Sequence, residues 1–355
     1  MVFPCPRQVI YTYDANGNMT SIQPPGRSAH VFNYNEVNLE SDYDPPLLGG
    51  SETPTVYDYN LDKQLVLVTR PDQKTIEYVY DDASGWLESI VTDRGTTTFE
   101  YSMGFGSGTP GTLASVTTPE GEVMGYTYDG FLSKDVMWSG TVDGVVSRAY
   151  DNDFRTTHVL VNGGNAIGYT YDTDGLLTGA GELTIARNAQ NGLITGTTLG
   201  GVTTTRGYNG FAEIQSYGAA FDSTGLYSAG YIRDKLGRIT EKTETVDGTT
   251  RTYKYGYDPA GRLEDVLVDD MAVSHYDYDD NGNRLKKTDY TSGEAVEYAG
   301  IYDEQDRMTT YGQYAYTYSA NGELESRRLV LNPPRLPVPI TRKPPGRSGA
   351  KRTRN

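Results

Sequence analysis

Pairs of tyrosines two residues apart recur along the chain, and each is followed by a polar turn and then by an apolar residue. Clear copies are Tyr11/Tyr13, Tyr126/Tyr128, Tyr169/Tyr171, Tyr255/Tyr257 and Tyr276/Tyr278. Side chains two apart in a strand project from the same face, so each pair predicts a strand with an aromatic face. The polar turn reverses the chain, and every copy therefore predicts a strand, a tight turn and a second strand.

Taking the second Tyr of each copy as an anchor, we place 15 repeat units along the chain. The anchors are Tyr13, Tyr34, Tyr59, Tyr80, Tyr101, Tyr128, Tyr150, Tyr171, Arg187, Tyr208, Arg233, Tyr257, Tyr278, Tyr302 and Tyr318. Their mean spacing is 21.8 residues, and 21 is the commonest single spacing. A period of about 20 to 50 residues is typical of repeat architectures.

The residues after each anchor predict how the chain reverses. Asn-Gly or Asp-Gly pairs tolerate positive φ and predict primed hairpin turns at Asn16-Gly17, Asp174-Gly175, Asn281-Gly282 and Asn321-Gly322. An apolar residue six positions after the anchor then opens the second strand. These residues are Met19, Leu65, Leu193, Ile239, Leu263, Met308 and Leu324, with one-residue insertions expected before Leu87 and Leu285.

The stretches between units favour a second hairpin and no helix. Residues 94–98 and 247–253 are rich in Thr and Gly, and no segment shows sustained 3.6-residue periodicity with caps. One hairpin cannot bury its aromatic face alone, so neighbouring units must stack. We therefore predict an all-β fold: repeated β-hairpins in a continuous spiralling sheet, as a strip or a partial barrel.

The recurring Y-D-x-x-G-[RN]-hydrophobic motif resembles the YD repeat, or Rhs repeat, of Rhs proteins, insecticidal toxin-complex subunits and teneurins. The resemblance covers about residues 9–326, and we assign residues 1–326 to the repeat array. It implies a β-strip that spirals into a hollow shell. In bacterial relatives this shell encloses a C-terminal toxic segment, and in teneurins it belongs to a cell-surface adhesion receptor. YD repeats have also been associated with carbohydrate binding.

We predict a structural role for the Tyr, Asp and Gly of the clearest copies. These repeat anchors are Tyr13, Asp14, Gly17, Tyr80, Asp81, Tyr128, Asp129, Tyr171, Asp172, Gly175, Tyr257, Asp258, Gly261, Tyr278, Asp279, Gly282, Tyr318 and Gly322. Asp258-Pro259-Ala260-Gly261 matches the D-P-x-G motif that occurs in pairs at the Asp-dependent self-cleavage site of related shells. It has no second copy here, so no protease is inferred.

Charge divides the chain into two parts. The 355 residues have a net charge of -16, and residues 1–326 hold 22 Lys and Arg against 47 Asp and Glu. Such a body repels phosphate, so we expect no nucleic-acid binding by residues 1–326. Residues 327–355 are basic and Pro-rich, which predicts a disordered tail that trypsin removes quickly. The array breaks off in mid-unit and lacks a signal peptide and a cap. This suggests a fragment with a frame-shifted end that self-associates through an open edge near residues 314–326.

Other candidate chemistry has a plainer interpretation. Residues 14–18 and 279–283 resemble short calcium loops, but the Gly comes too early for an EF-hand and hairpin turns are favoured. Asp269 and Asp270 are adjacent and would point to opposite faces, so they suit a solvated turn better than a glycosidase pair. His158 and His275 have no associated nucleophile motif, and Cys5 is a lone thiol near the start. We predict no catalytic residue, metal site or cofactor, and no membrane span.

The tyrosine ladder allows two functional interpretations. Its regular recurrence favours rings that pack between strands as the core of a shell, whereas stacked rings could also bind sugars. The first hypothesis is a non-enzymatic structural protein, part of a YD-repeat shell that encloses or displays another segment such as a toxin. The alternative is a module that binds carbohydrate or cell-surface proteins. The resemblance implies an extracellular or cell-surface location for either.

Overall fold

The computed structural model describes residues 7–48, 53–102 and 111–330, and in these ranges every regular element is a β-strand. The first strands of the hairpins are β1 (Ile10–Tyr13), β3 (His30–Tyr34), β5 (Thr55–Tyr59), β7 (Thr75–Tyr80), β9 (Gly95–Tyr101), β11 (Val123–Asp129), β13 (Gly144–Tyr150), β15 (Ile167–Tyr171), β17 (Leu183–Arg187), β19 (Val202–Tyr208), β21 (Thr224–Arg233), β23 (Thr249–Tyr257), β25 (Met271–Tyr278), β27 (Val296–Tyr302) and β29 (Tyr314–Tyr318). The second strands are β2 (Met19–Gln23), β4 (Glu40–Asp44), β6 (Leu65–Thr69), β8 (Leu87–Thr92), β10 (Leu113–Thr117), β12 (Leu132–Ser139), β14 (Thr156–Val161), β16 (Leu177–Ala180), β18 (Ile194–Leu199), β20 (Ile214–Phe221), β22 (Ile239–Val246), β24 (Leu263–Val268), β26 (Arg284–Asp289), β28 (Met308–Tyr311) and β30 (Leu324–Leu329).

Each strand pairs antiparallel with the next strand along the chain, from β1 to β30. In the described ranges β1 pairs only with β2 and β30 only with β29, so the sheet is an open strip rather than a closed barrel. The predicted all-β strip of hairpins is confirmed. Its end at residue 326 stays a prediction, although β30 continues to Leu329. The tail beyond residue 330, like Cys5, lies outside the described residues.

A β-bulge lies at the anchors, and sequence reasoning missed it. The strand register shifts immediately before Tyr13, Tyr171 and Tyr257, as it does before most other anchors. The extra residue of a bulge bends the strand and increases its twist, which suits a strip that must wind. Repeated once per unit, the bulge supplies curvature along the whole sheet.

The predicted strand starts hold at most positions but fail at two. Arg284 pairs with Tyr278 and opens β26 six residues after its anchor, so no residue is inserted before Leu285. Ile194 pairs with Arg187 and opens β18 seven residues after its anchor, so the insertion lies before Ile194 and Leu193 belongs to the turn. The first error arose because an apolar side chain was required where the backbone pairing accepts Arg284. The second arose because Leu193 and Ile194 are both apolar, so the pattern could not distinguish them.

The turns after the anchors are wider than the predicted primed turns. In the 14–18 turn only Gly17 has a positive φ, of 90°, and the N–H groups of Asp14 and Gly17 donate to the carbonyls of Asn18 and Asp14. This is a longer loop with a left-handed Gly, not a two-residue turn with two positive φ angles. Two-residue primed turns occur between units instead, as at Asp269 and Asp270, with φ of 51° and 64°.

The strip has two faces and two rims. The tyrosine face carries the anchors, every second strand residue before them, and the cross-strand partners of these residues. The polar face carries the alternate residues. The YD rim consists of the turns after the anchors, and the linker rim of the turns between units. Anchors are mostly half-buried, and among the described residues Ala229 and Pro46 are the only buried apolar side chains. The rings pack between strands, but no second layer covers them in this part of the chain.

Candidate functional site

The Asp that follows each anchor organises the YD-rim turn. The Oδ1 of Asp258 accepts the backbone N–H groups of Ala260 and Arg262, both at 2.9 Å. Asp14, Asp172 and Asp279 accept the equivalent pair of N–H groups in their own turns. The carboxylate satisfies backbone donors that the wide loop leaves without carbonyl partners, which explains an acceptor at this position.

The residue after the turn Gly links one unit to the next. The Nε of Arg262 donates to the Oδ2 of Asp258 at 2.6 Å, and its guanidinium lies 4.6 Å from the ring centre of Tyr278, the next anchor. The same arrangement recurs in three other units. These are Asp151–Arg155–Tyr171, Asp234–Arg238–Tyr257 and Asp303–Arg307–Tyr318. A cation held by a carboxylate over a tyrosine ring therefore joins consecutive hairpins.

The anchor hydroxyl completes the link by donating to a carbonyl of the preceding unit. Tyr257, for example, donates to the carbonyl of Ile239 at 2.6 Å. The donors among the described anchors are Tyr34, Tyr80, Tyr150, Tyr171, Tyr208, Tyr257, Tyr278, Tyr302 and Tyr318. The acceptor is the first or second residue of the preceding unit's second strand, a position that backbone pairing leaves available.

Arg187 and Arg233 stand at anchor positions and preserve this bond. Arg187 donates from Nε to the carbonyl of Leu177 at 2.9 Å, and Arg233 donates from Nη2 to the carbonyl of Ile214 at 3.3 Å. Both acceptors are the first residue of a second strand. The position therefore requires a long side chain with a terminal donor rather than a phenol.

Three predicted anchor residues depart from the common pattern. Tyr13 is 61% exposed. Asp129 ends β11 and pairs with Leu132 across a short turn with Gly130 at a φ of 61°, so it lies in the strand rather than in a wide loop. Asp81 heads a longer loop, in which Gly85 donates to its carbonyl. The role of the predicted anchors in stability stays a prediction.

The two ends of the strip meet at a seam that the sequence did not reveal. Arg27, on the linker rim, donates from Nε to the Oδ1 of Asp306 at 2.8 Å and lies 3.3 Å from the Oδ2 of Asp279, both on the YD rim. These side chains are largely shielded, with 18–29% of their surface exposed. The strip thus winds far enough for residues 279 positions apart to form an ion pair.

The seam continues along the next two turns of the linker rim and along the neighbouring positions of the YD rim. The Nε2 of Gln305 donates to the carbonyl of the fully buried Pro46 at 2.8 Å. The Nδ2 of Asn321 donates to the Oδ2 of Asp72 at 2.9 Å, and its Oδ1 accepts the backbone N–H of Asp72. The linker rim of the first units therefore packs on the YD rim of the last units.

The minor candidates hold structural positions. Residues 14–18 and 279–283 are hairpin turns whose carboxylates already accept N–H groups. The Nδ1 of His275 lies 2.7 Å from the Oδ1 of Asp265 on the polar face, and their hydrogen bond raises the pKa of the His275 imidazole. In the described ranges, no three His, Cys, Asp or Glu side chains gather as metal ligands, and no helix is long and apolar enough to span a membrane.

A winding strip of YD hairpins with a rim-to-rim seam defines a repeat protein of the shell class. The teneurin YD-shell family description matches residues 1–331, and the chain belongs to this family. It is similar to Teneurin-3 of Danio rerio, with 25% identity over 343 residues, and to Teneurin-4 of Homo sapiens, with 24% over 351 residues. Each match covers 90% of this chain but 12% of the relative, so the chain spans about an eighth of these proteins.

Solved toxin-complex structures share the fold. The crystal structure of TcdB2-TccC3-Cdc42 aligns with a TM-score of 0.72 at 12% identity, covering 92% of this chain and 21% of that one. The Photorhabdus luminescens Tc holotoxin pore aligns with a TM-score of 0.72 at 13% identity, covering 92% of this chain and 20% of that one. At this identity the likeness shows the fold alone.

Proposed function

We propose that the chain is a non-enzymatic structural protein, one revolution of a shell wall that encloses another polypeptide segment outside the cell or at its surface. The seam carries this proposal, because it brings the two ends of the strip together around a lumen. The resemblance to toxin-complex shells, which enclose a C-terminal toxic segment, supports it.

Alternating exposure supports an inward-facing tyrosine face. The anchors are mostly half-buried, while residues immediately before them, such as Asn33, Glu100 and Thr170, are exposed on the polar face. A curved sheet crowds the side chains of its concave side and spreads those of its convex side. We therefore assign the tyrosine face to the lumen and the polar face to solvent.

Protection of a fused peptide tests the proposal. An unstructured peptide with one specific protease site is attached after Asn355, and we expect its cleavage to be much slower than that of the free peptide. Arg27→Glu places like charges against Asp279 and Asp306, which opens the seam and restores cleavage. The control, Arg94→Glu, changes an exposed linker-rim ion pair with Glu120 and leaves protection intact. Cleavage at the free-peptide rate in the unmodified chain would exclude enclosure.

A cell-surface adhesion module is the second candidate, and the YD rim favours it. Large apolar side chains stand 71–103% exposed at its turns: Leu61, Phe131, Phe154, Phe211 and Leu236. Two pairs of them lie in consecutive units, Phe131 with Phe154 and Phe211 with Leu236, and exposed apolar patches mark protein contact surfaces. Under this hypothesis, Phe211→Ser together with Leu236→Ser abolishes binding of the folded chain to cells, and a glycan array tests for a sugar ligand. Unchanged binding of the double variant would exclude the rim as an adhesive surface.

A further inference from the structure

The tyrosine face carries an excess of positive charge, although the whole chain has a net charge of -16. Strand register places nine Lys and Arg on this face against three Asp and Glu. The basic residues are Arg148, Arg187, Arg206, Arg233, Lys242, Arg251, Arg284, Lys287 and Arg327, and the acidic ones are Glu40, Glu244 and Asp289. The acidic excess of the body therefore lies on the polar face and the rims.

Several of these guanidinium groups rest on tyrosine rings without an acidic partner. Arg206 lies 5.7 Å from the ring centre of Tyr217, and Arg284 lies 4.8 Å from that of Tyr311. Arg327 lies 3.7 Å from the ring centre of Tyr314. In the described part of the chain no carboxylate forms an ion pair with Arg148, Arg206, Arg251, Arg284 or Arg327, whereas Lys287 is paired with Asp289.

Polar atoms of the same groups lack hydrogen-bond partners. The Nη1 of Arg206, the Nε of Arg284 and the hydroxyl of Tyr311 are shielded from solvent, and no acceptor or donor of the described chain reaches them. Buried polar groups are normally satisfied, so each unpaired atom indicates a missing partner. A guanidinium group only donates hydrogen bonds and carries a positive charge, so an anionic acceptor would suit these two arginines best.

We propose that the tyrosine face of residues 144–327 binds an acidic polypeptide. Its carboxylates pair with the free guanidinium groups, and its apolar side chains pack on the tyrosine rings. This inference rests on the proposed shell function and specifies the chemistry of the enclosed segment. The enclosed chain and the wall carry opposite charges. Their attraction then holds the segment without requiring it to fold against the wall.

The spacing of the cations favours a polypeptide over a dense polyanion. Arg148 on β13, Arg206 on β19 and Arg284 on β26 are six and seven strands apart, or about 29 Å and about 34 Å along the strip. The intervals also hold Arg187 and Arg233, which donate to backbone carbonyls, Lys242, which pairs with Glu244, and the unpaired Arg251. Tyrosine rings and aliphatic side chains fill the rest. A sulfated glycan or nucleic acid requires clustered cations, whereas a chain with scattered carboxylates and apolar residues matches this alternation.

Peptide binding to the full chain tests the proposal. The probe is a labelled, unstructured peptide of about 40 residues with Glu at every fourth position and apolar residues between, and its twin has Lys in place of Glu. We expect the Glu peptide to bind in a salt-sensitive manner and the Lys peptide not to bind. The variant Arg148→Gln, Arg206→Gln, Arg284→Gln should weaken binding about tenfold or more.

Two controls separate charge from folding. Arg94→Gln, Lys254→Gln, Lys286→Gln removes equal charge from the linker rim and polar face and should bind as the parent does. The variant Arg148→Lys, Arg206→Lys, Arg284→Lys retains the charge and should retain binding. The inference would be overturned if both Gln variants weakened binding of the Glu peptide equally, or if the Lys peptide bound as tightly as the Glu peptide. It would also be overturned if the chain bound heparin and not the Glu peptide. The protease assay on the fused peptide is independent of this binding assay. Protection of the fused peptide without binding of the Glu peptide would refute only this inference. Binding of the Glu peptide without protection would refute only the proposed shell function.

Discussion

At the scale of single residues, the anchor position requires a side chain long enough to donate a hydrogen bond to a backbone carbonyl of the preceding unit. Tyr257 and Arg233 differ in charge and shape, yet both donate to the carbonyl that begins the preceding unit's second strand. The half-buried ring adds contact area. The hydrogen bond fixes the distance and orientation of each unit relative to the preceding one. Tyrosine is common here because its rigid ring reaches this carbonyl at a low entropic cost.

Removing one anchor hydroxyl should lower stability measurably. Tyr257→Phe loses the 2.6 Å bond to Ile239 and leaves that carbonyl unpaired, so we expect a loss of about 1 kcal/mol in the free energy of unfolding. Tyr255→Phe is the matched control, because the Tyr255 hydroxyl makes no such bond. Urea denaturation measures both. Equal midpoints for the two variants would show that the hydroxyl bond is not stabilising.

The left-handed position of the YD-rim turn is a second site of residue-level strain. Ala212 occupies it with a φ of 63°, where Gly17 and Gly261 stand in other units. We expect Ala212→Gly to stabilise the chain by about 0.5 kcal/mol, since relief of strain outweighs the entropy that Gly loses on folding. Ala260→Gly, at a neighbouring turn position without a positive φ, should destabilise it. Thermal melts that shift in the same direction for both variants would contradict this explanation.

At the scale of the hairpin, the Asp–Arg pair makes stability depend on pH. Burial of Asp258 acts to raise its pKa, but hydrogen bonds from the N–H and guanidinium of Arg262 outweigh it and the net pKa is lowered. Hydrogen bonds from Arg155 likewise lower the pKa of Asp151. A carboxyl with a lowered pKa in the folded state stabilises the fold above its unfolded pKa, and this contribution is lost as pH falls through the folded pKa.

Asp258→Asn should therefore reduce the loss of stability in acid. An amide oxygen still accepts the two backbone N–H groups, as Asn60 and Asn209 do in their turns, so the loop is preserved. The variant lacks the charge, and its stability should fall less steeply than the parent's below about pH 4. Unfolding free energies across the acid range provide the measurement. A parallel pH profile would mean that Asp258 does not contribute to acid lability.

Strand order could be derived from the sequence because each hairpin is encoded locally. Tyr13 and Met19, or Tyr257 and Leu263, lie six residues apart and pair across one turn. The bulge could not be derived, since it depends on backbone pairing rather than on side-chain type. For the same reason Arg284 was not recognised as the start of β26.

At the scale of the whole molecule, one ion-pair cluster should control closure. Arg27→Ala leaves the carboxylates of Asp279 and Asp306 without their counter-ion, so we expect a loss of about 2 kcal/mol and separation of the two rims. Hydrogen exchange should then increase at residues 24–27 and 279–283 together, with the middle of the strip unchanged. Arg94→Ala is the control. Increased exchange on one rim alone would mean that the rims are not coupled through Arg27.

The seam escapes sequence analysis because its partners are far apart and belong to no motif. Asp72 and Asn321 occupy ordinary turn positions, and only the accumulated twist of the intervening strands brings them to 2.9 Å. A small change in curvature per unit would place different turns opposite each other. Local patterns determine the hairpins, whereas the partners across the seam depend on the sum of all the bends.

This seam also determines how the protein would respond to mechanical force. Pulling on the two ends loads the Arg27 cluster and the Asp72–Asn321 contact first, because they join the strip's ends directly. The ring should open in one early, low-force event. The remaining hairpins should then peel from either end in succession, each unit of about 21 residues adding about 70 Å of extended chain. The seam contacts would thus set the force at which the strip begins to unwind, before any hairpin is lost.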